Sequence, residues 1–268
     1  MLRHDGDAPV DWSAQLAACA DEARGADLDA LASRATNAEL DVVERLAALE
    51  LLRALHAETA VVLAPEQARE LAVLSLGAEN TRSRAAACAL AAFGVASARA
   101  ELCDRLAQGG GAANVALHGL RECARKDVLE ALGARLLMAS DPGAQERLAA
   151  AAQGVAQALG TRADPSAADQ AEPLLALVRY GDLTATARRR LLLAVAALGS
   201  ARAENELCDI ACDAKADNEL ALEIANALRA SPQTETSRNL EARLATSQLD
   251  ASRREPLEAT RDFLRARR

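Results

Sequence analysis

The sequence predicts an all-α protein built from short helices, and three observations carry that expectation. Of 268 residues, 68 are Ala and 42 are Leu, the strongest apolar helix formers. Val, Ile and Thr number only 24 in total, and the aromatics are four: Trp12, Phe93, Tyr180 and Phe263. Sheets draw on those scarce types, so a β-sandwich, a barrel or a doubly wound sheet is excluded. Punctuation by Pro, Gly and polar clusters leaves segments of roughly 11 to 19 residues, the usual length of globular helices. The third observation is repetition at long range. With 51% apolar and 26% charged residues, the chain is too hydrophobic for disorder.

Taken in order, the expected helices cover 11–24, 27–36, 38–56, 65–76, 81–93, 97–108, 113–124, 126–139, 142–159, 167–180, 184–198, 201–214, 217–230, 233–248 and 252–266. Asp141-Pro142 reads as a helix start, because the carboxylate accepts orphan N–H groups and Pro has none to lose. Pro65 and Pro232 fit the same opening role. Gly94, Gly160 and Gly199 follow apolar runs, where a left-handed closing residue costs least as glycine. Gly109-Gly110-Gly111 reads as an inter-helix turn, and 161–172 has no clear pattern.

The segment 84–104 aligns with 189–209 at an offset of 105, with 11 of 21 positions identical. Arg84 matches Arg189, Gly94 matches Gly199, and both segments end in Glu-Leu-Cys-Asp. Further helix pairs begin near 113, 142 and 217. One helix pair cannot bury its apolar face alone, so repetition at this scale signifies stacked units sharing a core.

The run from Arg84 through Ala87, Leu90 and Phe93 to Gly94, followed by a second helix with Leu102 and Leu106, resembles the HEAT repeat of bacterial proteins. Arg189 to Gly199 matches well, and Gln145-Glu-Arg-Leu through Leu159-Gly160 more loosely. The resemblance implies a right-handed α-solenoid of about seven helix pairs over 38–250, with 11–37 as an N-terminal cap and 251–268 as a C-terminal helix and basic tail. In this single-domain layout residues 1–10 are a frayed terminus, and Trp12 covers the first repeat. The family's Arg opens a first helix, so Arg189 is expected to contact an adjacent repeat, leaving Arg188 and Arg190 at the surface. Tetratricopeptide arrays are the nearest alternative, but their fixed aromatic positions are missing.

Chemistry is sparse. His4, His56 and His118 are too dispersed to suggest a site, and His118 reads as structural. Six cysteines (Cys19, Cys88, Cys103, Cys123, Cys208, Cys212) sit in apolar helical patterns, where free thiols serve as small hydrophobes. Cys208 and Cys212 share a helix face without the further ligands that a metal needs. The triple glycine lacks the Gly-Lys-Ser/Thr of a phosphate loop. No catalytic residue, cofactor or metal site is expected.

The net charge of -8 argues against nucleic acid, since phosphate binding needs clustered cations. Charge is uneven, with residues 1–60 holding twelve acids and five Arg (12 − 5, net -7) and residues 238–268 eight Arg and five acids (8 − 5, net +3). The absence of a signal-like N-terminus or an apolar run of membrane-spanning length leads us to expect a cytoplasmic protein with reduced thiols. Second helices of HEAT-like pairs line a concave surface, here 97–108, 126–139, 167–180, 201–214 and 233–248. Their polar positions Arg99, Arg105, Arg135, Arg179 and Tyr180 are the candidate contacts for a protein partner. The expected function is a non-enzymatic interaction scaffold or adaptor. Alternatives that the resemblance permits are an accessory subunit of a lyase or chaperone-like modification system, and a HEAT-like DNA glycosylase. The last needs a basic groove and stacking aromatics that the composition withholds.

Overall fold

A computed structural model describes residues 28–54, 62–77, 79–161, 168–213, 218–229 and 235–266. The helix expected over 11–24, together with His4, Trp12, Cys19, His56 and Pro232, lies outside the described residues. The chain divides after Cys123 into two compact units. The first holds α1 (Leu28–Thr36), α2 (Val42–Ala54), α3 (Pro65–Ser75), α4 (Thr81–Phe93), α5 (Ala96–Gln108) and α6 (Gly111–Glu122). The second holds α7 (Lys126–Met138), α8 (Pro142–Thr161), α9 (Ala171–Tyr180) and α10 (Ala185–Leu198). It continues with α11 (Ala201–Cys212), α12 (Asn218–Leu228), α13 (Thr236–Thr246) and α14 (Ala251–Ala266). No strand occurs among the described residues, and no helix there is long and apolar enough to cross a membrane. The uncertain stretch before α9 carries a 3-10 turn at Ala168–Gln170.

Local chemistry sets the boundaries. The Ala144 N–H donates to the Asp141 carboxylate at 2.6 Å, and Pro142 opens α8 as expected. Thr184 accepts from the Ala187 N–H at 3.1 Å and Ser200 from the Ala203 N–H at 3.3 Å, starting α10 and α11. Asn80 and Ser83 exchange bonds at the start of α4, its N–H donating to the Ser83 hydroxyl and its carboxamide oxygen accepting from the Ser83 N–H. Gly109 and Gly110, with φ of 82° and 77°, make the turn between α5 and α6, and Gly111 already belongs to the helix.

Two of the three expected left-handed closures are corrected. Only Gly199 is left-handed, with φ of 66°. Gly94 is extended, and a Cβ there would overlap the Leu90 carbonyl. Gly160 lies inside α8, where a Cβ would overlap the carbonyl of Ala197 in α10. Gly94 is glycine because a carbonyl of the helix it ends comes too close for a side chain, and Gly160 because a carbonyl of α10 does, not because the chain turns left-handed.

Within each unit the helices form two layers. In the first, α2, α4 and α6 pack side by side, while α1, α3 and α5 back onto them. In the second, α8, α10, α12 and α14 form one layer and α7, α9, α11 and α13 the other. Central even helices are apolar on more than one face. In α8, Ala144, Leu148, Ala149, Ala151, Ala152, Val155, Ala156 and Leu159 are all buried. Odd helices bury a single stripe, such as Val128, Leu129, Leu132 and Leu136 in α7, as amphipathic helices do.

Each even helix packs more extensively on the odd helix before it than on the one after it, giving three hairpins in the first unit and four in the second. The expected pairing, in which 81–93 opens a unit and 97–108 closes it, is therefore shifted by one helix. A two-helix period in sequence fixes the repeat length and not its phase. The matched Leu-Cys pairs of the repeat are equivalent in burial: Leu102, Cys103, Leu207 and Cys208 are all in the core.

The repeat arginines are also corrected. Arg189 is exposed, whereas Arg188 and Arg190 are half-buried with their Nε atoms inside the protein. Arg84, its counterpart, is exposed as well and pairs with nearby Glu79 at 2.5 Å. Three consecutive helical residues point in different directions, and it is the two flanking ones whose Nε atoms are buried.

Candidate functional site

The expected contact residues fall on odd helices of both units. Arg99 and Arg105 lie on α5 in the first. Arg99 donates to the Gly94 carbonyl at 2.5 Å, closing the end of α4. Arg105 is 7% exposed. It donates to the Ser75 hydroxyl at 2.5 Å and the Ala72 carbonyl at 3.3 Å, and pairs with Glu101, so it ties α5 to α3. Both guanidinium groups are engaged inside the fold.

In the second unit, α7 and α9 run parallel: Gln170 donates to Glu130 at 3.1 Å, and Gly133 faces Leu174 and Leu177. Their C-terminal ends therefore point the same way. There Leu137 is 72% exposed, Met138 74% and Tyr180 83%. Arg135 is half-buried on α7 nearby. Arg179 reaches Glu206 of α11 at 3.4 Å. Further ion pairs cross the same layer, Arg202 to Glu172 at 2.9 Å and Arg243 to Asp209 at 2.5 Å. Each is solvated and worth at most about 1 kcal/mol, but together they neutralise cations across the layer. Leu137 and Met138 gave no sequence signal, because two apolar residues closing an apolar helix read as core.

A second constellation lies in the first unit, among α2, α4 and α6. Glu50 is 6% exposed and accepts from Arg53 at 2.9 and 3.2 Å. Its other oxygen is buried with no hydrogen-bond partner among the described residues. Arg53 also donates to the Glu122 carbonyl at 3.5 Å. The Cys123 thiol donates to the Cys88 carbonyl at 3.0 Å, and both cysteines are buried. The Cys88 thiol lies beside Cys123 and the half-buried His118, both of which act on its proton. The Cys123 thiol and burial push Cys88 up from the usual thiol range, against the pull of His118. Sequence separates these residues by up to 73 positions (123 − 50), and only the α2–α4–α6 layer assembles them.

Cys208 is buried and pushed up to about 12 by burial, with Cys212 pushed up to about 11 for the same reason. Such thiols are protonated at neutral pH. Among the described residues no group of three or more His, Cys, Asp or Glu is placed to hold a metal.

Two compact units of two-layered helix hairpins define the class of protein. Comparison of the chain with protein-family models, with curated proteins and with solved structures finds no match.

Proposed function

We propose that this chain is a HEAT-like α-solenoid that binds a protein partner through the outward face of its odd helices, without catalysis of its own. The observation that supports this reading is the exposure of Leu137, Met138 and Tyr180 at the C-terminal ends of α7 and α9, which point the same way. Tyr is enriched among residues that dominate interface energies. The chain's one Tyr stands in water rather than in the core. The ion pairs between odd helices supply a mixed-charge rim, which suits a protein surface with an apolar anchor better than a phosphate backbone.

The test compares capture by the wild-type chain with capture by a Leu137→Ser/Tyr180→Ala variant, in lysate of the source organism, read by mass spectrometry. All substituted side chains are exposed, so folding, checked by circular dichroism, is expected to be unchanged. The expected result is a protein retained by the wild type and weakened at least about thirtyfold in the variant, the loss of an anchor worth about 2 kcal/mol. An identical set of retained proteins contradicts the proposal. The pairing of buried Glu50 with half-buried Arg53, which also reaches the Glu122 carbonyl, favours a second reading, the accessory subunit of a lyase or chaperone-like modification system.

A further inference from the structure

We propose that Cys88 and Cys123 are a redox-responsive dithiol, which hydroperoxides close to a disulfide tying α4 to the end of α6. Backbone geometry supports this first. Gly119 presses against Ala87 so tightly that a Cβ there would lie 2.6 Å from the Ala87 carbonyl carbon. A disulfide needs Cα atoms about 4.4–6.8 Å apart, and helices separated by ordinary side chains stand at 8–10 Å. Glycine at 119 removes that spacing next to Cys88, and one helical turn later the chain reaches Cys123. Side-chain placement supports it second, since the Cys123 thiol is 3.0 Å from the carbonyl of Cys88 itself, and each thiol lies within the other's electrostatic reach.

His118 completes the arrangement. Its imidazole lies beside the Cys88 thiol and is half-exposed, giving the buried sulfur a proton acceptor that reaches solvent. In the first step Cys88 passes its proton to His118, and its sulfur attacks one peroxide oxygen. An S–O bond forms, the O–O bond breaks, and the leaving oxygen takes the proton from the imidazolium, departing as water or an alcohol. In the second step Cys123 attacks the sulfenic sulfur, the S–S bond forms, the S–O bond breaks, and hydroxide leaves as water with the Cys123 proton. Two thiols lose two electrons and the peroxide gains them. Burial of both thiols keeps the pair slow towards general electrophiles, so closure depends on the oxidant and the neighbouring thiol.

The folded full-length chain is treated with hydrogen peroxide, quenched, alkylated with N-ethylmaleimide, digested without reductant and analysed by mass spectrometry. The expected product is a cross-linked peptide containing Cys88 and Cys123, two hydrogens lighter than the sum of its reduced parts and released by dithiothreitol. Independent alkylation of both residues, under oxidation that fully closes a small reference dithiol, overturns the proposal. A linkage of either to a different cysteine does so too. His118→Asn is expected to slow closure at neutral pH at least about tenfold while leaving the circular dichroism spectrum unchanged. An unchanged rate overturns the role given to His118.

Discussion

Gln145 shows what one buried polar side chain does in this fold. Its amide nitrogen donates to the Ala139 carbonyl at 2.8 Å and the Asp182 carbonyl at 2.7 Å, and its oxygen accepts from the Thr184 N–H at 2.9 Å. One side chain thus fixes the link before α8 and the link before α10. Gln67 repeats the device in the first unit, donating to the Thr36 carbonyl at 2.9 Å and accepting from the Ala64 N–H at 3.2 Å. Gln145→Leu preserves approximate volume and strands three backbone groups. Urea unfolding is expected to show a loss of about 2–3 kcal/mol, since each buried unpaired group costs about 1–3 kcal/mol before relaxation. A loss below about 0.5 kcal/mol would mean that water replaces the amide without penalty. Arg99 and Arg105 follow the same logic with charge, and their sequence positions on polar faces did not reveal it. The carbonyls and hydroxyl that they reach belong to other helices, and nothing local in sequence marks those partners.

Among elements, the even helices of the second unit depend on close backbone approach. Alanine lets α8 and α10 come together, and Gly160 against Ala197 marks the tightest point. Gly160→Ala is expected to destabilise by about 1–3 kcal/mol, as overpacking of a well-packed contact does. Gly111→Ala is the matched control, since a Cβ at that helix start meets nothing within 4 Å. It is expected to be neutral or stabilising by up to about 1 kcal/mol, as alanine replaces glycine in a helix. Thermal or chemical unfolding of the two variants separates the effects, and equal losses would mean that helix propensity and not packing sets the cost. Among the described residues the approximate helix bounds were legible in sequence because Asp141-Pro142, Pro65 and Gly109-Gly110 act locally. The phase of the hairpins was not legible, because the repeat of 84–104 at 189–209 contains the same period whichever helix comes first. Nor was the reason for Gly94 and Gly160, since a close approach to a carbonyl, of the same helix or of a neighbour, and a left-handed closure look alike in one dimension.

For the molecule as a whole, each unit has a spine of central even helices, with odd helices backing onto it. The abundance of alanine has its physical explanation in that spine, where Ala194, Val195 and Ala196 of α10 and Ala151 and Ala152 of α8 are fully buried. The five expected contact residues had their helices legible but their environments not. Tyr180 is exposed at a helix end, Arg105 is buried, and Leu137 and Met138 were invisible as surface residues because composition cannot tell an apolar end from an apolar core. The Cys88–His118–Cys123 group was illegible for a different reason, since three helices of one layer contribute to its surroundings. The division of labour between spine and outward face underlies the proposed binding mode. Peptide-resolved hydrogen exchange of the purified chain tests it most directly. Amides in the middle of α8 and α10 are expected to exchange at least about tenfold more slowly than those in the middle of α7, α9 and α11, because local opening costs most where packing surrounds the helix. Equal protection of the two sets, or slower exchange in the odd helices, would contradict the account.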